Sequence, residues 1–554
     1  MTAAQPPSFL VLMADQLAAS WLPAYGDPLV QAPHLSALAR DATVFDRAYC
    51  PFPLCAPSRA AMLTGRPASD IGVYDNAAEL AATVPTLAHA LRAHGYHTAV
   101  AGKMHFVGPD QLHGFEHRLT ADIYPADVDW TPDWSRPLDR PLPWYHTMES
   151  VLAPGVCAAA MQTDYDEEVC FHAVRKLYDI ARHRPDQPFL LFVSFTNPHD
   201  PWEIPQRHWE RYRRSEIPVP AVPSLPLEQA DPHSRRLRAM CRVDEASLTD
   251  EQIRRARHAY FAAVSYLDER IGEVLGALQR SGMADRTTVL FCADHGEMLG
   301  ERGLWYKMSF FEQSARVPLI VRVPGAGPRR VAAPVSLLDV TPTLLELAGL
   351  PAELVSPRPG AAGAAGAAGA AGAAGAAGAA GAAGAAGAGG AAGPVGEPPR
   401  AAVSLAAAIT GAGAAPARPV LSEYHAEGVT APSAMVREGR FKLICSLEDP
   451  DLLYDLESDP HELTDLSRAP EQADTVRRLR AELDARVDLA AVGRRVLASQ
   501  RERRLVSAAL GRGVRPEWDF EPVADSSRRY VRNRDDLYEL QRRSRLEMGE
   551  PDAF

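Results

Sequence analysis

Three runs of apolar residues, each followed directly by polar residues, constrain the fold of this chain most. They cover residues 9–13, 189–195 and 288–292. Continuous apolar runs of this length indicate strands that are buried on both faces, as in parallel sheets. Helix-like stretches lie between or beside them, at residues 85–94, 166–184 and 251–280. This alternation predicts an α/β fold with a central, mostly parallel sheet flanked by helices.

Charged or polar side chains stand just after each of these strands. Asp15 follows the first, His199 follows the second and Asp294 follows the third. Ligands of open α/β sheets bind just beyond the carboxyl ends of the strands. We therefore expect these three residues to lie at one active site.

The composition and charge of the chain limit the classes of function that it can have. The chain has 554 residues and a net charge of −12, which argues against nucleic-acid binding and admits a small neutral or cationic substrate. Its seven cysteines are scattered and odd in number, so a disulfide framework is not indicated. The first residues lack the pattern of an export signal, and no long apolar stretch predicts a membrane span. From these features we expect a cytoplasmic protein.

A Gly/Ala repeat interrupts the chain. Glycine recurs at every third position over residues 360–387, with two alanines between. Gly at this frequency removes much of the helix preference of Ala, and collagen would need Pro-rich sequence, so the repeat predicts a disordered linker. The expected domains are a catalytic α/β domain (residues 1–351), the Gly/Ala-rich linker (352–400), a small α+β subdomain (401–491) and an extended C-terminal tail (492–554). Residues 420–424 and 435–444 are each predicted to form a strand of an antiparallel sheet in the subdomain.

The run from Cys55 to Arg66, Cys-Ala-Pro-Ser-Arg-Ala-Ala-Met-Leu-Thr-Gly-Arg, carries the strongest chemical signal. It has no second Cys or His at a zinc spacing. It resembles the signature of the formylglycine-dependent sulfatases, members of the alkaline phosphatase-like superfamily, in which this Cys is oxidised to Cα-formylglycine. The resemblance implies their fold, their hydrolase activity and a maturation enzyme that modifies Cys55.

The expected chemistry explains why a modified residue is needed. A serine nucleophile would form a stable sulfate ester, whereas a hydrated aldehyde attacks sulfur with one hydroxyl and expels sulfate with the other. The resemblance implies that Arg59 holds the diol, that Lys103 and Lys307 bind sulfate oxygens, and that His105 deprotonates the diol. His199 is the candidate general acid for a poor alcohol leaving group. Asn76 is a further candidate for binding the sulfate.

A hard divalent cation, with oxygen ligands, would stabilise the charge on the sulfuryl group. The expected metal ligands are Asp15, Gln16, Cys55 in its modified form, Asp294 and His295. We expect Ca²⁺, with Mn²⁺ or Mg²⁺ as alternatives. Gln16 departs from the usual sulfatase Asp and is shared with a subset that includes phosphonate monoester hydrolases. Asp15 alone could also be read as a helix N-cap.

Segments outside the signature resemble choline sulfatases over nearly the whole chain except the repeat. They include residues 108–134, 144–147, 422–428 and the tail. This resemblance implies choline-O-sulfate as substrate and Trp130, His146, Glu427 and Asp519 as choline contacts, because aromatic faces and carboxylates hold a trimethylammonium group. Thr147 stands where the family is expected to have Asn. The resemblance also implies a homo-oligomer, dimer or tetramer, in which the tail completes a neighbouring site.

Two alternatives remain at this stage. One is a phosphonate monoester or phosphodiester hydrolase, or a broad arylsulfatase, on the same scaffold, favoured by the pair Gln16 and His295. The other is a non-catalytic protein that binds choline esters, which the intact signature argues against. The Trp residues could also serve packing alone.

Overall fold

The computed structural model describes residues 6–135, 146–355 and 402–522. Within these ranges the strands of the first part of the chain are β1 (Ser8–Ala14), β2 (Thr43–Phe45), β3 (Ala48–Tyr49), β4 (His97–Gly102), β5 (His117–Arg118), β6 (Gly155–Cys157), β7 (Phe189–Ser194), β8 (Glu203–Pro205), β9 (Thr287–Ala293), β10 (Arg316–Val317), β11 (Leu319–Arg322), β12 (Arg329–Val331) and β13 (Val335–Ser336). The later strands are β14 (Val420–Tyr424), β15 (Ser433–Glu438), β16 (Phe441–Ser446) and β17 (Leu452–Asp455).

The α-helices of the same ranges are α1 (Pro33–Arg40), α2 (Cys55–Thr64), α3 (Ala68–Ile71), α4 (Leu87–Ala93), α5 (Glu149–Leu152), α6 (Met161–His183), α7 (Gln206–Trp209), α8 (Pro232–Cys241), α9 (Val243–Ala246), α10 (Asp250–Arg280), α11 (Glu312–Ala315), α12 (Val340–Leu347), α13 (Ala406–Thr410), α14 (Ala473–Asp484) and α15 (Leu489–Leu510). The helices expected near residues 85–94, 166–184 and 251–280 correspond to α4, α6 and α10. Among the helices of the described ranges, none is long and apolar enough to span a bilayer.

The central sheet confirms the α/β prediction. Across the described residues it has the strand order β12-β2-β11-β9-β1-β7-β4-β5. The pairs from β9 to β5 are all parallel, whereas β11 is antiparallel to both of its neighbours. Every residue of β1, β7 and β9 is buried, as their unbroken apolar sequences predicted. Helix α10 contacts both α1 and α6, and α2, α4 and α12 form a second group.

The register of the sheet sets the positions of the polar residues at its edge. Ala14 of β1 is opposite Ala293 of β9, so Asp15 and Asp294 follow at the same level. Gly102 of β4 is opposite Ser194 of β7. Gly102 has φ of 99°, and a Cβ there would lie 1.9 Å from the Ser194 carbonyl oxygen. Glycine at this position therefore lets Lys103 follow directly beside the end of β7.

A second, smaller unit follows the central sheet. Strands β14 to β17 form an antiparallel sheet in sequence order, and α14 packs on it through Leu479 and Leu483. The expectation of one strand over residues 435–444 is wrong, because Gly439, with φ of 54°, turns the chain into the β15–β16 hairpin. A two-residue turn of this kind favours residues that accept positive φ. The beginning of the expected tail forms α15.

The expected linker lies, from residue 356 to residue 400, outside the described residues. Its first residues form a short 3₁₀ turn, Ala352–Leu354, followed by the fully buried Val355. On the other side, the Val403 amide donates to Asp339 at 2.9 Å. Both the 3₁₀ turn and α13 contact α12, so the two flanks of the repeat are anchored on one helix.

We expect deletion of residues 360–393 to leave the melting temperature and the catalytic activity unchanged. Residues 356–359 and 394–401 would remain as the connection, with an extended reach of roughly 40 Å, whereas α12 is only about 12 Å long. Differential scanning calorimetry and a steady-state assay of the deletion variant check this. A lower melting temperature or loss of activity would show that the repeat contributes to the fold.

Candidate functional site

Cys55 is the first residue of α2, at the carboxyl edge of the central sheet. Its side chain is buried, with the Sγ atom 3.2 Å from His295 Nε2, 3.5 Å from Lys103 Nζ and 3.9 Å from Asp15 Oδ1. Burial, followed by the charge of Asp15, raises the pKa of the thiol to about 12. An unmodified Cys55 would therefore be protonated and weakly nucleophilic near neutral pH.

Two fully buried carboxylates lie beneath Cys55, and buried cations neutralise them. The Arg59 guanidinium contacts Asp294 at 2.8 Å through Nε and Asp15 at 3.3 Å through Nη2. Lys103 Nζ also donates to Asp15. Burial by itself would raise the pKa of Asp15, but Lys103 and the other nearby cations outweigh it and hold this pKa well below its usual range. Asp15 is thus kept ready as an anionic ligand.

The donor set fits a divalent cation. One ligand atom from each of Asp15, Cys55, Asp294 and His295 lies within 4.8 Å of the others, and all four residues are buried. Burial lowers the pKa of His295 to about 4, so its imidazole is neutral and available as a ligand. Two carboxylates in a buried cluster are typical ligands of a hard divalent ion.

Gln16 joins this cluster to the cation Lys307. It has φ of 62°, a left-handed backbone conformation that non-glycine residues adopt mainly where the surrounding structure holds them. Its amide oxygen accepts a hydrogen bond from Lys307 Nζ at 2.5 Å, and its amide nitrogen donates to Glu297 at 2.6 Å. In this arrangement the Gln16 amide oxygen is engaged by Lys307, so Gln16 holds Lys307 in place beside the carboxylates.

A cavity of about 500 Å³ opens above Cys55. Of the residues expected at the active site from the sequence, it is lined by Cys55, Asn76, Trp130, His146, His199, Lys307 and Glu427. Residues 124, 147, 149, 150, 153, 161, 162, 200–203 complete the lining. The fold thus brings two of the sulfate-binding candidates, Asn76 and Lys307, and three of the choline-contact candidates to one cavity.

His199 lies on the cavity wall between Lys307 and Asp200. Its Nε2 is 2.8 Å from Lys307 Nζ, and its Nδ1 is 2.6 Å from the Asp200 carbonyl oxygen. Burial and then Lys307 hold the pKa of His199 well below its ordinary value. The Asp200 carboxylate also lies 3.4 Å from Nδ1 of His146, which stacks on Tyr306. These contacts fix both imidazoles relative to the cavity.

Glu427 supplies a carboxyl group that forms no ion pair among the described residues. Its side chain is buried, and Oε2 has no hydrogen-bond partner within the described ranges. Burial, with a contribution from the charge of Asp75, raises the pKa of Glu427 to about 8. A buried acceptor of this kind gains most from a cationic ligand. Tyr124 and Trp130, whose ring centroids lie 5.3 Å apart, provide aromatic faces in the same cavity.

Other expected site residues lie outside the cavity lining. Arg59 and Lys103 are buried beneath it, and Arg59 contacts the two aspartates described above. His105 is buried next to Tyr124 and Trp130, and neither ring nitrogen has a hydrogen-bond partner among the residues described. Asp519 is exposed and accepts a hydrogen bond from the Ala126 amide at 3.0 Å. In this single chain, Asp519 therefore contacts the outer side of the loop that carries Trp130.

Asp200, Glu297 and Tyr124 take part in the site although the sequence analysis did not assign them. Asp200 is next to His199 and Glu297 is two residues after His295, so both follow strands that were recognised. Tyr124 lies 4.2 Å from Lys103 Nζ, measured to the ring centroid. It belongs to an irregular loop, where no periodic pattern indicates which side chains point inward.

Two family models match the chain. The model described as "Sulfatase" matches residues 7–350. The model described as "Choline sulfatase enzyme C terminal" matches residues 494–546, which include most of α15.

Characterised relatives extend these matches. The chain is 43% identical over 550 residues to a choline-sulfatase of Rhizobium meliloti (strain 1021), covering 98% of this chain and 99% of the relative. It is 27% identical to an arylsulfatase of Clostridium perfringens over 62% of this chain and 75% of the relative. The crystal structure of the phosphonate monoester hydrolase of Agrobacterium radiobacter shares the fold, with a TM-score of 0.64, 23% identity and coverage of 87% of this chain and 96% of that chain.

We expect Asp294→Asn to abolish binding of the divalent cation, because it removes one of the two anionic ligands. Addition of Ca²⁺ should raise the melting temperature of the unsubstituted protein through linkage, and should leave that of Asp294→Asn unchanged. Metal analysis by mass spectrometry checks the stoichiometry. Glu423→Gln is a matched control, since Glu423 is buried and bonded to Ser69 outside the cluster. Equal metal content in Asp294→Asn would contradict the assignment.

Proposed function

Since the chain belongs to the sulfatase family, whose members use formylglycine and a divalent cation, we propose that this sulfuric ester hydrolase cleaves choline-O-sulfate to choline and sulfate. The observation that carries the substrate is the cavity above Cys55, whose lining combines the cation Lys307 with the buried Glu427 carboxyl and the rings of Tyr124 and Trp130. The near full-length similarity to a choline-sulfatase supports the same substrate.

The substrate is a zwitterion, and groups suited to both of its ends line one cavity. Lys307 and Asn76 line the cavity together with Cys55, and we propose that they bind the sulfate. Trp130, His146 and Glu427 line the same cavity and are proposed to bind the trimethylammonium group. Such a group donates no strong hydrogen bonds, so aromatic faces and a nearby carboxylate are its natural partners.

The reactive groups implied by the family would act at the base of the cavity. A formylglycine at position 55 supplies, as its hydrate, a nucleophilic hydroxyl in place of the weakly acidic thiol. Asp15, Asp294 and His295 would hold the divalent cation, which would supply Lewis-acid stabilisation of charge on oxygen. We assign the cation to Ca²⁺ on the oxygen-rich donor set. Lys103, whose pKa is raised by Asp15 against the effect of burial, remains a cation able to bind a sulfate oxygen.

His199 is proposed as the proton donor to the leaving alcohol. Burial and the charge of Lys307 hold the pKa of His199 well below its ordinary value and keep the imidazole neutral. A bound sulfate anion would offset the charge of Lys307 and raise the proton affinity of His199, so that it is protonated when the ester is in place. His105 is buried, and neither of its ring nitrogens has a hydrogen-bond partner among the described residues, so it is proposed as the base for the second step.

Other properties expected from the sequence stay predictions. These are the maturation enzyme that converts Cys55, a homo-oligomer of the chain, a cytoplasmic location and the role of Asp519 in choline binding. The phosphonate hydrolase alternative rests on Gln16 and His295, but Gln16 bonds to Lys307 here, and the likeness to the Agrobacterium enzyme is one of fold.

The substrate is tested by profiling protein co-expressed with a formylglycine-generating enzyme. We expect choline-O-sulfate to be preferred, by kcat/KM, over 4-nitrophenyl sulfate and phenyl phosphonate esters. Glu427→Gln should lower kcat/KM for choline-O-sulfate about 30-fold, equivalent to the loss of ~2 kcal/mol for one partner of a buried charge pair. The same variant should leave 4-nitrophenyl sulfate, which has no cation, nearly unaffected.

The pH dependence provides the control for this test. Glu427 is neutral below its raised pKa of about 8 and anionic above it. The affinity of the cavity for a cation therefore rises with pH around pH 8, and kcat/KM for choline-O-sulfate should rise over the same range. The Glu427→Gln variant keeps Asp75 and Lys307, the two charges that face residue 427, but lacks the titrating carboxyl group. Its kcat/KM should therefore not show this rise with pH. Good turnover of aryl sulfates without turnover of choline-O-sulfate, in protein with confirmed formylglycine, would refute the proposed substrate.

We expect His199→Gln to lower kcat for choline-O-sulfate by roughly 10²- to 10⁴-fold, the usual contribution of a general acid. The effect on 4-nitrophenyl sulfate should be much smaller, because 4-nitrophenolate leaves without a proton. Steady-state kinetics with both esters, on samples of equal formylglycine content, measure the difference. The same loss with both esters would assign His199 to sulfate binding and not to proton transfer.

A further inference from the structure

Residues of α15 and the segment after it bind along the loop that carries Trp130, which we call the aromatic loop (residues 122–135). Gln500 Oε1 accepts from the Trp134 amide at 3.1 Å, and Ser507 donates to Asp129 at 2.7 Å. Further contacts are Arg504 with Asp133 at 2.6 Å, and Arg515 with Asp127 and Asp129 at 2.7 Å each. The C-terminal helix thus forms the outer support of one side of the cavity.

Arg503 differs from these neighbours because it reaches past the aromatic loop into the protein. Its two terminal nitrogens contact both carboxylate oxygens of Asp75 at 2.6 and 2.7 Å. The first of them also donates to Thr131 Oγ1 at 3.2 Å. Asp75 is fully buried, and the Arg503 side chain is 11% exposed. This is a two-pronged charge-assisted contact of the kind that fixes geometry as well as charge.

The two partners of Arg503 belong to different segments of the cavity wall. Asp75 precedes Asn76, whose Oδ1 accepts a hydrogen bond from the Ala56 amide at 3.0 Å, one residue after Cys55. Thr131 directly follows Trp130. Asn76 and Trp130 both line the cavity. One guanidinium therefore connects the segment beside the nucleophile to the aromatic loop.

The charge of Arg503 has a second consequence. A buried carboxylate such as Asp75 needs a compensating partner, and within the described ranges Arg503 is the cation in direct contact with it. Asp75 is also one of the groups that raise the pKa of Glu427. Loss of Arg503 would leave the Asp75 charge uncompensated near Glu427 and would disfavour the anionic form that holds a cation.

We propose that Arg503 is a positioning residue for substrate selection, which holds the aromatic loop in register with the Asp75–Asn76 segment. The C-terminal helix then controls which leaving group the cavity accepts, without touching the substrate itself. The proposal builds on choline-O-sulfate as the proposed substrate.

The test compares Arg503→Met, which keeps the aliphatic length and removes the charge, with Arg503→Lys, which keeps the charge and removes the fork. We expect Arg503→Met to raise KM for choline-O-sulfate at least about tenfold, with KM and kcat for 4-nitrophenyl sulfate within about twofold of the unsubstituted enzyme. Arg503→Lys should restore only part of the loss. Arg501→Met, which removes an exposed charge from the same helix, is the matched control and should change the kinetics of neither substrate.

An equal loss on both esters, or no change on either, would overturn the proposal. If Arg503→Met folds poorly, the double variant Arg503→Met/Asp75→Asn removes both buried charges, and it should still show the selective rise in KM. Hydrogen–deuterium exchange gives a readout that needs no substrate: Arg503→Met should speed exchange in residues 75–77 and 126–134, and unchanged exchange there would refute the proposal. Failure of the unsubstituted enzyme to hydrolyse choline-O-sulfate would instead refute the proposed substrate.

Discussion

The structure of the site depends on the burial of two like charges side by side. The register of β1 and β9 places Asp15 and Asp294 together at the edge of the sheet, with no exposed surface on either. Two carboxylates in such a position repel each other and lack water, so they require several cations. Arg59 and Lys103 meet this requirement from beneath, and their contacts also determine where Cys55 lies.

The upper half of the site follows from the same constraint by a chain of hydrogen bonds. Gln16, directly after Asp15, bonds to Lys307, and Lys307 contacts His199. Each group is thus oriented by its neighbour before any ligand arrives. Pre-organised groups of this kind stabilise developing charge without reorganisation during the reaction. A substitution of one member, such as Gln16, therefore changes the orientation of Lys307 and, through it, that of His199.

The sequence was sufficient for the parts of the fold that depend on regular periodicity. Strands β1, β7 and β9 were recognised because burial on both faces leaves an unbroken apolar run, and their parallel arrangement brings Asp15, His199 and Asp294 to one edge. The catalytic and substrate-binding candidates came mostly from the family resemblance, which names residues but not their contacts. Most of the choline-contact candidates do line the cavity, although their roles remain proposals.

The sequence could not predict contacts between segments that are far apart in the chain and lack regular structure. Tyr124 and Asp200 reach the cavity from irregular segments, and the Arg503–Asp75 pair joins residues 428 positions apart. No local pattern encodes such a pair, because it depends on how α15 packs on the rest of the protein. The hairpin at Gly439 was missed for a different reason: residues on both sides favour strands, and only the positive φ of one glycine marks the turn.

Selectivity for a zwitterion requires two opposite charges to be held at a fixed separation inside one cavity. The cationic side is built on the sheet edge, where the strands fix every position. Two of the groups proposed to bind the trimethylammonium end, Trp130 and Glu427, lie on the aromatic loop and on the segment around residue 427. The Trp134 indole joins these two segments by donating to the Ala426 carbonyl at 2.9 Å. An irregular loop has no sheet hydrogen bonds to hold it in place. Ion pairs and hydrogen bonds from helix α15 fix the aromatic loop instead. Discrimination among sulfate esters therefore depends on a helix that contributes no residue to the cavity lining.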